Sequence, residues 1–151
     1  MLNVRSWAII AVFLLAQAVP AVAFRTVVID PGHGGKDDGA KHYGVKEKDV
    51  NLDTAKRLEQ ILKRKGYKVV MTRRTDRFLK LQERARIANR YRDAIFVSIH
   101  CNAHSNTSVK GIETFYATLE GRRLATTIQR ELVKRINTRN RGIKVGKQYA
   151  V

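Results

Sequence analysis

The stretch Arg25-Thr-Val-Val-Ile-Asp-Pro-Gly-His-Gly-Gly35 decides the fold. Its β-branched run predicts a buried strand, and Pro31-Gly32 ends that strand in a turn. A second strand is predicted at Tyr67-Lys-Val-Val-Met-Thr72. The run Ala94-Ile-Phe-Val-Ser-Ile99 is more apolar, and we expect it to be a central strand.

Helical periodicity fills the intervals between these strands. Apolar spacing predicts helices over 49–65, near 79–91 and over 121–137, and an alternating run at 112–117 predicts another strand. The last residues, 148–151, resemble a strand just begun. Because strands alternate with helices, we expect a single α/β domain with a mostly parallel twisted sheet flanked by helices, and with the last strand or strands missing.

Composition excludes several classes of protein. The 151 residues carry 30 Lys+Arg against 13 Asp+Glu, a net charge of +17, but 44% are hydrophobic, too many for a disordered basic tail. The single cysteine, Cys101, excludes a disulfide framework and a four-thiolate zinc site. We find no helix-turn-helix pattern or zinc-finger spacing, and aromatic residues make up only 7%, so we expect no nucleic-acid partner.

Residues 1–23 have the layout of a secretory signal peptide. Arg5 precedes an apolar run, and Ala21 and Ala23 form a small-residue cleavage pattern. We therefore expect cleavage after Ala23, an exported domain over 24–151, and a location in the periplasm, cell envelope or medium with peripheral envelope association. The alternative is an uncleaved membrane anchor, although the run is shorter than the roughly 20 residues that span a bilayer.

Two histidines follow predicted parallel strands, where ligands bind in α/β folds. If those strands are neighbours, His33 and His100 converge on one edge, and Glu47 is the best third ligand. Two histidines and a glutamate with an open fourth position are typical of hydrolytic zinc. Asp30 is predicted to orient His33, and Asn102 to fix the loop after His100. The alternatives are structural histidines and a Glu47 that only compensates the helix dipole.

Four motifs occur in order and at a consistent spacing: Val27-Val-Ile-Asp-Pro-Gly-His-Gly-Gly35, Lys46-Glu-Lys-Asp-Val-Asn-Leu52, Thr72-Arg-Arg-Thr-Asp76 and Ser98-Ile-His-Cys-Asn-Ala103. Together they resemble the zinc-dependent N-acetylmuramoyl-L-alanine amidases of bacteria. The resemblance extends from about residue 25 to the end of the chain.

The resemblance implies one zinc ion held by His33, Glu47 and His100. It implies peptidoglycan as substrate, cut at the amide between N-acetylmuramic acid and the L-alanine of the stem peptide. Arg73 and Arg74 follow the second strand, where they either contact stem-peptide carboxylates or lie in a solvated turn.

The family's general base is a glutamate on a strand near the end of its domain, and no stretch of this sequence matches that strand. Glu113 is an available carboxylate, but it does not align with the family's base and is not assigned. No catalytic residue is therefore named, since the base would lie beyond Val151. We expect a truncated or lapsed amidase with little or no activity. The alternative is a non-catalytic, zinc-containing module that binds peptidoglycan.

Overall fold

The computed structural model describes residues 24–101 and 109–146, which form a mixed α/β domain. The predicted signal peptide, Asn102 and the predicted strand at 148–151 lie outside these residues. The elements in chain order are β1 (Thr26–Pro31), β2 (Lys41–His42), β3 (Val45–Lys46), α1 (Glu47–Arg64), β4 (Lys68–Met71), α2 (Leu81–Ala88), β5 (Ala94–Ile99), β6 (Ile112–Tyr116), α3 (Leu119–Ile136) and β7 (Asn140–Val145).

Three parallel strands form the larger sheet, in the order β4-β1-β5. The central strand is therefore β1, and the prediction that β5 is central is wrong for the sheet described. The β-branched run of β1 pairs on both sides, with Ile29 opposite Met71 and Val97, and it is almost wholly buried. At the carboxyl edge, Pro31 lies opposite Ile99, so His33 and His100 follow neighbouring strands. This meets the condition on which their convergence depended.

Helix α1 packs on this sheet and begins two residues before its predicted start. Glu47 and Asp49 lie in its first turn, where carboxylates complement the helix dipole. Gly66 lies just beyond the end of the helix at φ 85°, and the N–H groups of Gly66 and Tyr67 bond back to the last turn, as in a Schellman motif. The core between helix and sheet contains Val27, Ile29, Ala55 and Met71.

A second parallel pair, β6 and β7, is connected through α3. The hydroxyl of Thr118 accepts a hydrogen bond from Gly121 N at 3.0 Å and caps α3, which ends at Asn137 in the left-handed conformation. The strand β7 was not predicted. Its sequence is polar and contains Gly142 at φ 79°, so no local pattern indicates a strand. The strand is formed by pairing with β6, which precedes α3 in the chain.

Helices α1 and α3 have 18 residues each, and both carry charged residues along their length. In the segments 24–101 and 109–146, no helix combines the length and the apolar character needed to cross a membrane.

Candidate metal centre

His33, Glu47 and His100 come together at the carboxyl edge of the larger sheet. One ligand atom from each lies within 4.8 Å of the others. The Nε2 atom of His33 is 3.1 Å from Glu47 Oε1, and the Nδ1 atom of His100 is 3.2 Å from the same oxygen. The two imidazole rings meet edge to face, with their centroids 4.8 Å apart.

Glu47 is buried but richly hydrogen-bonded. Its Oε1 accepts from Cys101 N at 2.8 Å and Asn51 Nδ2 at 3.3 Å, and its Oε2 accepts from Ala40 N at 3.0 Å. Burial alone would raise the pKa of Glu47, but these hydrogen bonds outweigh it and hold the pKa below its ordinary value. The side chain is therefore a carboxylate at neutral pH, the form that binds a metal.

The structure pairs His33 with Asp37, not with Asp30 as predicted. His33 Nδ1 donates to Asp37 Oδ2 at 2.9 Å, which leaves Nε2 directed at Glu47. His33 itself has φ 62°, so the loop turns sharply after β1 and carries the ring away from Asp30. A carboxylate on the far nitrogen fixes the orientation and tautomer of a metal-binding imidazole. Asp37 takes the place that we assigned to Asp30.

Asp30 is fully buried and belongs to an ionic network beneath the site. Its carboxylate accepts from Arg84 Nη1 at 2.8 Å, from the Ser98 hydroxyl at 2.9 Å and from the Thr72 hydroxyl. Arg84 is only 3% exposed, and it also donates to the carbonyl of His33 at 2.8 Å. Asp30 therefore acts on His33 through the backbone, by way of Arg84.

Arg73 is also buried, with 2% of its surface exposed. Its guanidinium donates to the carbonyls of Pro31 at 2.9 Å, Gly32 at 2.8 Å and Lys48 at 2.8 Å. It thus ties the backbone beside His33 to the backbone beside Glu47. The prediction that Arg73 contacts substrate or lies in a solvated turn is wrong, because the side chain is buried and donates to four backbone carbonyls, the fourth being Thr75 O at 3.2 Å.

Arg74 is half-exposed and forms a two-pronged ion pair with Glu59 of α1, at 2.8 and 2.7 Å. Its guanidinium is thus bound to the helix. Of the two alternatives for Arg74, the structure describes an exposed turn. Nearby, Lys48 Nζ lies 2.8 Å from each of three oxygens, on Gly35, Asp38 and Asp76. This contact closes the glycine loop onto α1.

The ring of His100 lies directly over Gly32. A Cβ built on Gly32 would lie 2.3 to 2.6 Å from three ring atoms, so no side chain fits there without moving the imidazole. Burial, together with the neighbouring His33, lowers the pKa of His100, although Glu47 opposes this effect. His100 is therefore neutral at neutral pH, as metal binding requires.

Several contributors to the site were missed from sequence, among them Arg84 and the backbone N–H of Ala40. Asp37 and Asn51 carry ordinary polar side chains, and the donor at Cys101 is a backbone N–H. The one available signal was the spacing of Asn51, one helical turn after Glu47, which places both on the same face of a helix.

Glu113 lies on β6, away from this group. Its carboxylate pairs with Lys144 and, at 3.2 Å, with Arg141. Among the residues described, the group that could hold a metal contains His33, Glu47 and His100 and no second carboxylate.

The fold and site together define an α/β domain with a two-histidine, one-carboxylate group at the ends of parallel strands. The family model for N-acetylmuramoyl-L-alanine amidase matches residues 27–151. The chain belongs to this family.

The chain is also similar to individual proteins and solved structures that are named as N-acetylmuramoyl-L-alanine amidases. N-acetylmuramoyl-L-alanine amidase LytC of Bacillus subtilis is 42% identical over 134 residues, 86% of this chain and 27% of LytC, so the chain spans about a quarter of that relative. The structure of the amidase AmiC2 of Nostoc punctiforme has a TM-score of 0.77 and 41% identity, covering 83% of this chain and 71% of that one. The catalytic domain of CwlV from Paenibacillus polymyxa has a TM-score of 0.77 and 36% identity, covering 82% and 70%.

Proposed function

We propose that His33, Glu47 and His100 bind one zinc ion and that the chain binds peptidoglycan at this site, as a zinc-dependent N-acetylmuramoyl-L-alanine amidase. The observation that carries the proposal is the convergence of two imidazoles on one buried carboxylate. The bond cut would be the amide between N-acetylmuramic acid and L-alanine.

The donor set suits zinc. Nitrogen and carboxylate ligands at about 2.0–2.1 Å in a tetrahedron lie roughly 3.4 Å apart. The contacts from Glu47 Oε1 to His33 and His100, 3.1 and 3.2 Å, are near that spacing, and one ligand atom from each of the three residues lies within 4.8 Å of the others. When bound, the metal polarises the carbonyl oxygen and lowers the pKa of its water toward about 7.

The protein's own residues prepare the site. Asp37 holds the His33 tautomer, the hydrogen bonds to Glu47 keep it ionised, and burial keeps His100 neutral. Arg73 and Arg84 hold the carbonyls beside the ligands. The ligands are thus positioned before a metal arrives, which lowers the cost of binding.

We propose that these 151 residues alone hydrolyse the amide weakly or not at all. The reaction needs a second carboxylate to take a proton from water and return it to the leaving amine, a role worth about 10²–10⁴ in rate. In the described part of the chain, Asp37 is bonded to His33 and Glu113 is paired with cations. This favours the second candidate function, a zinc-containing module that binds peptidoglycan without cutting it.

The test measures zinc content by elemental analysis beside digestion of purified peptidoglycan. We expect about one zinc per chain in the wild type and strong loss in His33→Ala, Glu47→Gln and His100→Ala. His42→Ala, an exposed histidine outside the group, is the control and should keep its zinc. Circular dichroism checks that each variant is folded.

Two results would contradict these proposals. Full zinc content in folded His33→Ala or His100→Ala would reject the ligand set. Rapid hydrolysis that a chelator abolishes would reject the weak activity while supporting the metal.

We propose further that residues 1–23 direct export. Their removal takes away Arg5 and lowers the net charge from +17 to +16, and we propose that this charge favours association with acidic wall polymers. Cosedimentation with peptidoglycan should weaken as salt rises, because salt screens exposed charges. Binding that is equal at low and high salt would remove charge from the explanation.

A further inference from the structure

The hairpin of β2 and β3 presents one aromatic ring to solvent. Tyr43 lies in its two-residue turn and is 94% exposed. The ring meets the imidazole of His42 at a centroid distance of 4.2 Å and an interplanar angle of 62°. It takes no part in the core, so its burial contributes nothing to the fold.

Tyr43 also adopts a backbone conformation that disfavours it. Its φ is 46° and that of Gly44 is 80°, the pattern of a type I′ turn. Such turns favour Asn-Gly or Asp-Gly, and positive φ is disfavoured for a bulky side chain. A single exposed tyrosine is ordinary, but an exposed tyrosine in a strained turn needs a reason outside the fold, and such strain clusters at functional sites.

The base of this hairpin is bonded to the metal group. Ala40 N donates to Glu47 Oε2 at 3.0 Å, and Glu47 N donates to Ala40 O at 2.9 Å. Three extended residues from Ala40 to Tyr43 span about 10 Å at most. The ring therefore lies within a short oligosaccharide's length of the position where a muramic acid amide would meet the metal.

The charges of the hairpin are already engaged. Lys41 and Lys46 both pair with Asp38, at 2.8 and 3.3 Å. Tyr43 has the largest exposed fraction among the hairpin's apolar side chains, 94% against 54% for Val45. Its ring suits the apolar face of a sugar better than a carboxylate.

We propose that the Tyr43 ring stacks on a sugar of the glycan strand beside the bond to be cut. This rests on the proposed peptidoglycan function and adds to it a contact with the carbohydrate. The ring anchors the glycan, while the metal group meets the amide. Tyr43 lies outside the four motifs that carry the family resemblance.

The test uses the full chain loaded with zinc and three variants: Tyr43→Asn, Tyr43→Ala and, as the matched control, Tyr43→Phe. Binding is measured by cosedimentation with intact peptidoglycan and with glycan strands stripped of stem peptides. We expect Tyr43→Asn and Tyr43→Ala to bind both materials about three- to tenfold more weakly, and Tyr43→Phe to bind within about twofold of the wild type. Because the contact is not ionic, the ratio should persist at high salt.

The melting temperature of Tyr43→Asn should change in the opposite direction to its binding. Tyr43→Asn creates the preferred Asn-Gly turn, so its melting temperature should equal or exceed that of the wild type. Unchanged zinc content would show that the metal group is intact. Weaker binding by a protein that is no less stable cannot come from unfolding.

Each remaining outcome overturns one proposal. Wild-type binding by Tyr43→Asn rejects the stacking contact alone. Loss confined to peptide-bearing material shows that the ring meets the stem peptide and also rejects it, as does loss in Tyr43→Phe. A wild type that binds neither zinc nor peptidoglycan rejects the proposed function itself.

Discussion

Residues 24–101 and residues 109–146 are stabilised in different ways. In the first segment, β1 and α1 enclose buried aliphatic side chains, and buried ionic groups lie beneath the candidate metal centre. In the second, Ala125 is the one buried hydrophobic residue described, and side chains such as Ile136 and Val145 are more than half exposed. The three candidate metal ligands therefore lie in the segment with the more extensively buried interior.

The polar interiors differ as well. Beneath the site, Arg73, Arg84 and Asp30 form a charged network that holds the loop after β1. In the second segment the corresponding group is neutral, since Gln129 binds Ile112 O, the Thr114 hydroxyl and Asn140 Oδ1. Charged networks lose far more than neutral ones when one partner is removed.

The largest expected effect comes from Arg84→Ala. Asp30 would lose its buried ion-pair partner, and the free energy of unfolding should fall by about 3–5 kcal/mol in urea titrations. Arg122→Ala, an exposed arginine on α3, is the control and should change it by less than about 0.5 kcal/mol.

A double variant separates charge from packing. Asp30→Asn with Arg84→Met removes both charges together, so it should be more stable than Arg84→Ala, by about 1 kcal/mol or more. If Arg84→Ala alone lowered the free energy of unfolding by less than about 1 kcal/mol, the ion pair between Asp30 and Arg84 would not be important for stability.

The next largest effect concerns apolar side chains, one from each of the two segments. Ile29→Ala removes a fully buried side chain from the core and should cost about 2–5 kcal/mol of unfolding free energy. Ile136→Ala, at a residue that is 59% exposed, should cost less than about 0.5 kcal/mol. Similar losses in the two variants would show that the second segment has a core as demanding as the first.

The smallest effect depends on pH. Arg74 chiefly lowers the pKa of Glu59, against the opposing effect of burial. A lowered pKa stabilises the fold above the unfolded value of about 4.3, and this stability is lost as pH falls through the folded pKa. Glu59→Gln should therefore cost about 0.5–1 kcal/mol at pH 7, and the difference from wild type should shrink in acid.

Urea titrations at pH 7 and in acid measure this difference. Glu131→Gln, which removes an exposed pair with Arg130, is the control and should have little effect at either pH. A Glu59→Gln deficit that grows in acid would reverse the assigned sign.

Local pattern predicted much of the fold. The run that became β1 was predicted from its β-branched residues, β5 from its apolar character and β6 from its alternating pattern, and β4 was predicted as a second strand. Helices α1 and α3 were predicted because apolar residues follow a helical period. Strand β7 was missed since its partner lies across α3. The β2–β3 hairpin was missed because Tyr43-Gly44 lacks the usual turn chemistry.

For the site, too, some features could be predicted from the sequence and others could not. Neighbouring parallel strands bring His33 and His100 together. The sequence predicted this meeting only on the condition that the two strands are neighbours. The choice of Asp37 over Asp30 depends on a loop that turns at positive φ, which the sequence does not reveal. The burial of Arg73 could not be predicted because its partners are backbone carbonyls. Every residue has such a carbonyl, so the sequence does not indicate which of them accept a hydrogen bond from Arg73.

Gly32 has a consequence for mutational tolerance. It offers no ligand atom, yet the imidazole of His100 occupies the space that its Cβ would need. In a saturation library selected for zinc retention, position 32 should accept as few replacements as the three ligand positions, and even alanine should be depleted. A related chain that keeps both histidines but has lost this glycine would thus be recognisable as a decayed copy.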